Sequence, residues 1–386
     1  MIGMEIRNLW NMKFVATVGV VLIAMYNASG QVYQVCEEHE SCFPSKTTDL
    51  SDSFLLNLGH SDTSFVNWYH AEIFNDIKTV SGEDTISLTP AFFMFRESDT
   101  VIKEQLAELD RNSPIDLRYN GYVKAFIRMY TEKKPEVLAR SMARMPYYEP
   151  LFIEMLDKYD IPLELKYLPV VESALDPLAR SRAGARGLWQ FMYRTGRMYG
   201  LTVTSYYDER CDPYLATEAA CKYLKKLHSI YGDWLLVIAA YNCGPGNVNK
   251  AIRRSGGYRD YWQIRKWLPR ETRGYVPAFI SATYLFEQEL ELAYFPEFEK
   301  MDVKRDTVRV KKPLYFSSID SILKIDLEEI QWMNPVYKLD YIPAGEHAVL
   351  TLPANKIASF LEMEDSLYHH TEAIESKPEI PTPARK

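Results

Sequence analysis

The stretch Val170–Met192, VVESALDPLARSRAGARGLWQFM, sets one carboxylate and one amide on either side of a glycine-punctuated loop. Glu172 follows an apolar run, Leu168-Pro169-Val170-Val171. Ser181, Gly184 and Gly187 come next, and then a second apolar turn holds Gln190 between Trp189 and Phe191. A carboxyl walled by apolar neighbours keeps its proton, because the charged form loses solvation. A carboxylic acid that is neutral near pH 7 can donate that proton. Exposure on a helix is the commoner fate of a glutamate, so Glu172 needs support from the rest of the chain.

Upstream of this stretch, Asp160-Ile161-Pro162 is a helix-start signal, with Asp as cap and Pro shortly inside. Leu163, Tyr167, Val170 and Val171 then share a face, Pro169 kinks the helix, and Asp176-Pro177 stops it just beyond Glu172. Further back, apolar spacing predicts helices from Arg118 to Tyr130, Glu136 to Met145 and Tyr148 to Tyr159. Downstream, 178–187 reads as a loop and Leu188 to Tyr199 as a helix ended by Gly200. Asp212-Pro213 starts another helix, and Trp234 to Tyr241 is so uniformly apolar that it belongs in the core. A turn cluster, Asn242-Cys243-Gly244-Pro245-Gly246-Asn247, leads into a helix from Val248 to Arg254. Pro269 begins the last long helix, with Glu271, Tyr275 and Phe279 and a kink at Pro277.

After Glu299 the pattern changes. Asp306 to Lys311 alternates like a strand, Ser317 to Leu323 and Leu327 to Met333 read as short helices, and His347 to Leu352 as a second strand. This order fits a small α+β module. The predicted organisation is therefore an N-terminal signal (1–30), a polar and poorly ordered lead-in (31–86), a helical domain (87–300), a module (304–355) and a tail (356–386), with the densest motifs in 140–290.

At the N-terminus, Arg7 and Lys13 precede an apolar run from Phe14 to Met25, and small residues follow at Ala28 and Gly30. That is the order of an export signal cleaved after Gly30. The run is short for a membrane span, so membrane association is expected only through this segment, if it stays uncleaved. Export implies the periplasm or cell envelope and permits disulfides. Cys36 with Cys42, and Cys211 with Cys221, are the pairings that spacing allows, leaving Cys243 free. The formal net charge of −7 argues against a nucleic-acid partner. None of the cysteine spacings reads as a zinc site.

Four separated pieces complete the pattern. They are Val171-Glu172-Ser173-Ala174, Gly187-Leu188-Trp189-Gln190-Phe191, Ala239-Ala240-Tyr241-Asn242-Cys243-Gly244-Pro245-Gly246, and Leu268 to Pro277 with Glu271 and Tyr275. Any one of them arises by chance; all four in this order are specific. Together they resemble the lytic transglycosylases of the soluble-transglycosylase, lysozyme-like superfamily, and within it the membrane-bound lytic murein transglycosylase D type, whose C-terminus carries LysM modules.

The resemblance implies a mainly α-helical, lysozyme-like catalytic domain followed by a LysM-like module, acting on peptidoglycan glycan strands. It puts Glu172 in the place of the catalytic acid, Ser181 and Gln190 against the sugar, Tyr241 and Asn242 along the cleft, and Glu271 and Tyr275 in the final motif. Four of these also have a plain structural reading: a turn cap for Ser181, loop backbone for Gln190, a core phenol for Tyr241, a helix cap or an Arg partner for Glu271. Cys243 stands where the family usually has Ala, and Ala278 where this subgroup usually has Lys. The glycine-aspartate-threonine start usual in LysM is missing; Lys312-Pro313-Leu314-Tyr315-Phe316 stands there.

Most glycosidases need two carboxylates. Here the C6 hydroxyl of N-acetylmuramic acid can replace the second, closing a 1,6-anhydro ring without water, and no metal or organic cofactor is called for. The resemblance also implies that cell-wall synthases or amidases are possible partners. Its rivals are a water-using lysozyme relative and a non-catalytic wall-binding scaffold.

Overall fold

The computed structural model describes residues 97–288, 304–345 and 348–376, together with the backbone of two short N-terminal strands. Those strands, β1 (Lys13–Thr17) and β2 (Val20–Ala24), pair antiparallel. The rest of the expected signal segment, the lead-in expected over 31–86, Cys36 and Cys42 lie outside the described residues.

The chain is mostly helical. Its hub is α7 (Trp234–Cys243), in which Leu235 to Ala240 are all buried. A helix apolar on every side is stable only when it is surrounded. Around it pack α6 (Pro213–Tyr231), α8 (Pro245–Arg254), the short α9 (Tyr261–Ile264) and α10 (Arg270–Phe286), and α10 also packs on α2 (Gly121–Arg128). The helix starts follow from local chemistry. Asn120, Asp212 and Asp233 each accept backbone N–H bonds from the first turns of α2, α6 and α7, satisfying donors that the helix leaves open. α1 (Asp99–Asn112) packs its buried Ile102 and Leu106 onto the same core.

Three sequence expectations are corrected here. The two helices predicted over 136–145 and 148–159 are one, α3 (Pro135–Lys158), running through Pro146 and Pro150. Its buried face, including Tyr148 and Phe152, faces the core, and that burial outweighs the two amide hydrogens the prolines lack. The segment after Asp160 is a 3₁₀ turn (Leu163–Tyr167) followed by a separate short helix, α4 (Leu168–Ser173). The helix predicted from Leu188 exists only as α5 (Tyr193–Met198); 188–192 is a turn.

The C-terminal module has the predicted strand–helix–helix–strand order. β3 (Arg305–Arg309) pairs antiparallel with β6 (Val349–Pro353), with α11 (Phe316–Leu323) and α12 (Leu327–Met333) between them. A second small pair joins β4 (Leu314–Tyr315) to β5 (Tyr341–Ile342). The stretch expected as tail from 356 instead forms α13 (Ile357–Glu362) and α14 (Glu364–Glu375), and α14 packs on α11 and β4. Thr371 bonds both the Tyr315 amide (3.3 Å) and Ser318 (2.9 Å).

The module sits on the helical domain. Trp332 meets the rings of Tyr147 (4.1 Å) and Tyr148 (5.5 Å), and the Arg305 guanidinium stacks 3.6 Å from the Tyr147 ring centre. Backbone bonds cross as well: the Asp208 amide donates to Val336 O and the Lys338 amide to Tyr206 O, both at 2.8 Å. Among the described residues no helix is long and apolar enough to cross a membrane.

Asn334, buried at the end of α12, donates to Ile330 O (2.9 Å) and Thr351 O (2.8 Å) and accepts from the Thr351 amide (2.7 Å). It joins α12 to β6 with both ends of one amide. Asn334→Ala strands those partners and should cost about 2–4 kcal/mol. Urea unfolding of the full chain checks this; a loss under about 0.5 kcal/mol would make the side chain incidental.

Candidate active site

Glu172 is the penultimate residue of α4, a helix of six residues. Pro169 is tolerated in its first turn, where no amide hydrogen is required. The helix ends because Ala174 and Leu175 both take left-handed backbone (φ 50° and 58°), a costly choice without a glycine. Two contacts hold it. Arg144 Nη1 donates to Ala174 O at 3.1 Å, and the Ser173 hydroxyl lies 3.0 Å from both Pro169 O and Leu188 O. The α4 end and the 187–191 turn are therefore joined beneath the carboxyl.

Glu172 is half-buried as a residue, and its carboxyl is set into the wall of a cleft of about 330 Å³. Ser181, Gln190, Tyr241, Asn242, Glu271 and Tyr275 line the same cleft, so every sequence-predicted site residue is brought together. Burial pushes the Glu172 pKa up to about 8; the Tyr275 hydroxyl, donating to Oε1, pulls it down in part, and the nearby Glu271 charge raises it. Burial, then the Glu172 charge, holds the Tyr275 phenol well above its ordinary range. Tyr275 thus remains a donor wherever Glu172 titrates.

The roles expected of the neighbours are refined by their bonds. Tyr241 makes its hydrogen bond elsewhere than to Glu172: its hydroxyl donates to Trp189 O at 2.8 Å, and buried Trp189 in turn donates its Nε1 to Thr217 Oγ1 at 2.8 Å. Gln190 sits at φ +46°, and its Nε2 donates to Ala179 O (3.2 Å) and Gly187 O (2.9 Å). Its amide nitrogen braces the loop, leaving Oε1 as the acceptor for a ligand. Ser181 Oγ accepts from the Ala185 amide at 3.0 Å, which leaves its proton to donate. Asn242 Oδ1 accepts from Thr272 Oγ1 (2.7 Å), so its amide hydrogens are the free end. Glu271 lies in the first turn of α10, where the helix dipole favours an acid.

Met192, Thr195 and Tyr223 also line the cleft without having been singled out in the sequence; they carry no motif signal. Cys243 is partly buried, and burial raises its thiol pKa, so it is less reactive than its position suggests. Cys211 and Cys221 are not joined, as spacing had allowed. Both are buried free thiols, pushed up to about 12 chiefly by burial. A larger groove of about 770 Å³ runs between the module and the helical domain. The carboxyl withdrawn from water there, Asp212, is committed to capping α6.

Comparison with known proteins defines the class. Residues 150–264 match the family model described as Transglycosylase SLT domain, and residues 304–369 the one described as Lytic transglycosylase MltD, LysM-like domain. The chain thus carries an SLT transglycosylase domain followed by an MltD-type LysM-like domain. It is 37% identical over 202 residues to membrane-bound lytic murein transglycosylase D of Escherichia coli K12, an alignment covering 51% of this chain and 44% of that protein. It is 28% identical over 189 residues to membrane-bound lytic murein transglycosylase F of Alcanivorax borkumensis, covering 46% and 38%. Among solved structures, the 70 kDa soluble lytic transglycosylase of Escherichia coli aligns at 25% identity and a TM-score of 0.33, covering 50% of this chain and 31% of that one. The chain spans less than half the length of these proteins.

A raised folded-state pKa means that folded Glu172 binds more protons than unfolded Glu172 between roughly pH 4.5 and 8. Stability from this group is therefore greatest in acid and is lost as pH rises through about 8. Glu172→Gln removes the titration. The variant should match the wild type near pH 4 and exceed it above pH 8, by on the order of 5 kcal/mol. Melting curves across that range check the sign; a difference that does not vary with pH would place the carboxyl in water.

Proposed function

We propose that this protein is an exported peptidoglycan lytic transglycosylase of the periplasm and cell envelope. It cleaves the β-1,4 bond between N-acetylmuramic acid and N-acetylglucosamine and leaves a 1,6-anhydro end. The observation that carries the reading is Glu172: one proton-bearing carboxyl, with a pKa of about 8, on the wall of the cleft formed by the SLT-type motifs.

At pH 7 a group with that pKa is protonated by roughly ten to one. Glu172 gives its proton to the bridging oxygen as the bond to C1 of the N-acetylmuramic acid breaks. The C6 hydroxyl of the same ring then bonds to C1, and its proton passes to the Glu172 carboxylate. The acid is regenerated and no water enters. The attacking group is already attached to the substrate, which saves much of the entropy of bringing in a second molecule. The Tyr275 hydroxyl stays on Oε1 in both protonation states, orienting the carboxyl and supporting its charged form between the two transfers. Ser181 Oγ, Gln190 Oε1 and the Asn242 amide are the polar ends left to hold acetamido and hydroxyl groups.

Glu271 favours a second reading, in which a water attacks as in lysozymes. It lies in the same cleft, near enough for its charge to raise Glu172. The products separate the two, since anhydro-muropeptides are one water lighter than hydrolytic ones. The expected digest of sacculi contains the lighter species, released at a rate that falls above about pH 8 as the acid is lost. Glu172→Gln should retain sacculus binding and lose release by at least about 100-fold. Undiminished release by that variant would remove Glu172 from the chemistry, and heavier products would establish hydrolysis.

A further inference from the structure

The substrate side of the cleft hangs on a segment with almost no regular structure. Residues 179–191 make only isolated bridges, Arg180 with Arg186 and Arg186 with Phe191, and turn at left-handed Gly184, Gly187 and Gln190. Yet Ser181 and Gln190 both sit on it. What fixes it lies outside the motifs. Arg210 is buried (6% exposed), and its Nη1 donates to Gly184 O (2.9 Å) and Phe191 O (3.1 Å), the two ends of the part that bears Gln190. The rest of the guanidinium is held by Asp208, itself 1% exposed: Nε to Oδ1 at 2.9 Å and Nη2 to Oδ2 at 2.7 Å. A planar fork with five donors can make all four of these bonds at once; an ammonium, with three donors, cannot. The backbone closes in as well, since a Cβ on Gly187 would lie 1.9 Å from Arg210 O.

Asp208 and the segment before it are in turn held from the module. The Asp208 amide donates to Val336 O (2.8 Å), the Lys338 amide to Tyr206 O (2.8 Å), and Lys338 Nζ to Thr204 O (2.9 Å). An unbroken line of bonds thus runs from the loop between α12 and β5, through 204–210, to the carbonyls of the substrate loop.

We propose that Arg210, seated by Asp208, is a positioning residue for the glycan-binding loop, and that the LysM-like module acts as its splint by gripping 204–208. The module is then part of the cleft's frame, whatever it binds on its own surface. Arg210 bonds the loop that bears Ser181 and Gln190 and makes no bond to Glu172 itself, so its main effect is on substrate binding. The inference rests on the reading of the cleft as a glycan site.

The test uses the full chain. Arg210→Lys keeps the charge beside Asp208 but loses the two-carbonyl bridge. Its kcat/KM on purified sacculi should fall at least tenfold, mostly through KM, while the upper limb of the pH profile, set by Glu172, stays in place. Hydrogen exchange should quicken at Gly187 and Phe191, whose amides bond Ala179 O and Arg186 O, and stay slow at Leu236 to Ala240 in α7. Lys338→Pro, which removes both Lys338 bonds from the module side, should move exchange at Gly187 and Phe191 in the same direction by about threefold. If Arg210→Lys fails to fold, Asp208→Asn is read by the same exchange. Unchanged exchange at Gly187 and Phe191 overturns the proposal, and so does equal loosening of α7, which would make Arg210 a general prop of the fold. A wild type that releases no product from sacculi, with the exchange response intact, overturns the transglycosylase reading and leaves the splint standing.

Discussion

A carboxyl group removed from water has two ways to exist: paired with a cation, or neutral. Among the described residues no cation pairs with Glu172; its carboxyl meets the Tyr275 hydroxyl and the charge of a second acid, Glu271. The group is therefore held in its protonated form at neutral pH, and the surroundings follow from that requirement. A short helix with a proline start brings the residue in, two left-handed residues take the chain away, and Arg144 and Ser173 hold the exit. A phenol is the suitable partner, because it can donate to either charge state without itself ionising.

The same logic separates what the sequence made legible from what it did not. Glu172, Gln190, Tyr241, Asn242, Glu271 and Tyr275 could be expected to meet in one cleft because each lies in a short motif whose residue types are tied to chemistry, and the four motifs occur in order. The buried hub α7 could be read because ten nearly uninterrupted apolar residues have few alternatives. The 188–192 turn could not. Leu-Trp-Gln-Phe-Met has the look of a helix start, and the left-handed turn at Gln190 depends on bonds from its own side chain to Ala179 O and Gly187 O, which are tertiary facts. Likewise Pro146 and Pro150 divide α3 on local grounds, whereas burial of Tyr148 and Phe152 keeps it whole. The partners of Tyr241 and Gln190 also depend on geometry: their residue types gave the cleft, and the folded loop decided which atoms remain for a ligand.

Asp208 and Arg210 were invisible for a related reason. Asp-Glu-Arg ahead of a helix cap looks like a solvated surface run, the ordinary fate of such charges. Their burial depends on tertiary contacts: the module bonds Tyr206 O and the Asp208 amide, while the 184–191 turn meets Arg210 from the other side. A buried ion pair is a poor source of stability but a good source of geometry, since its desolvation is tolerable in few arrangements. Here the arrangement it selects is the one that spaces Gly184 O from Phe191 O.

This changes how the small C-terminal module is to be regarded. A tethered binding module would meet the helical domain through few contacts and a mobile linker. Instead Trp332 packs on Tyr147 and Tyr148, Arg305 stacks on Tyr147, and two backbone hydrogen bonds continue from the module into 206–208. The α14 helix, expected to be tail, closes the module's other side through Thr371, Ser318 and Tyr315. Both flanks of the strand–helix–helix–strand unit are thus committed to packing. A unit so placed cannot move independently of the loop that carries Ser181 and Gln190, so substitutions at the module's docking face reach the cleft by the same bonds that hold the module in place.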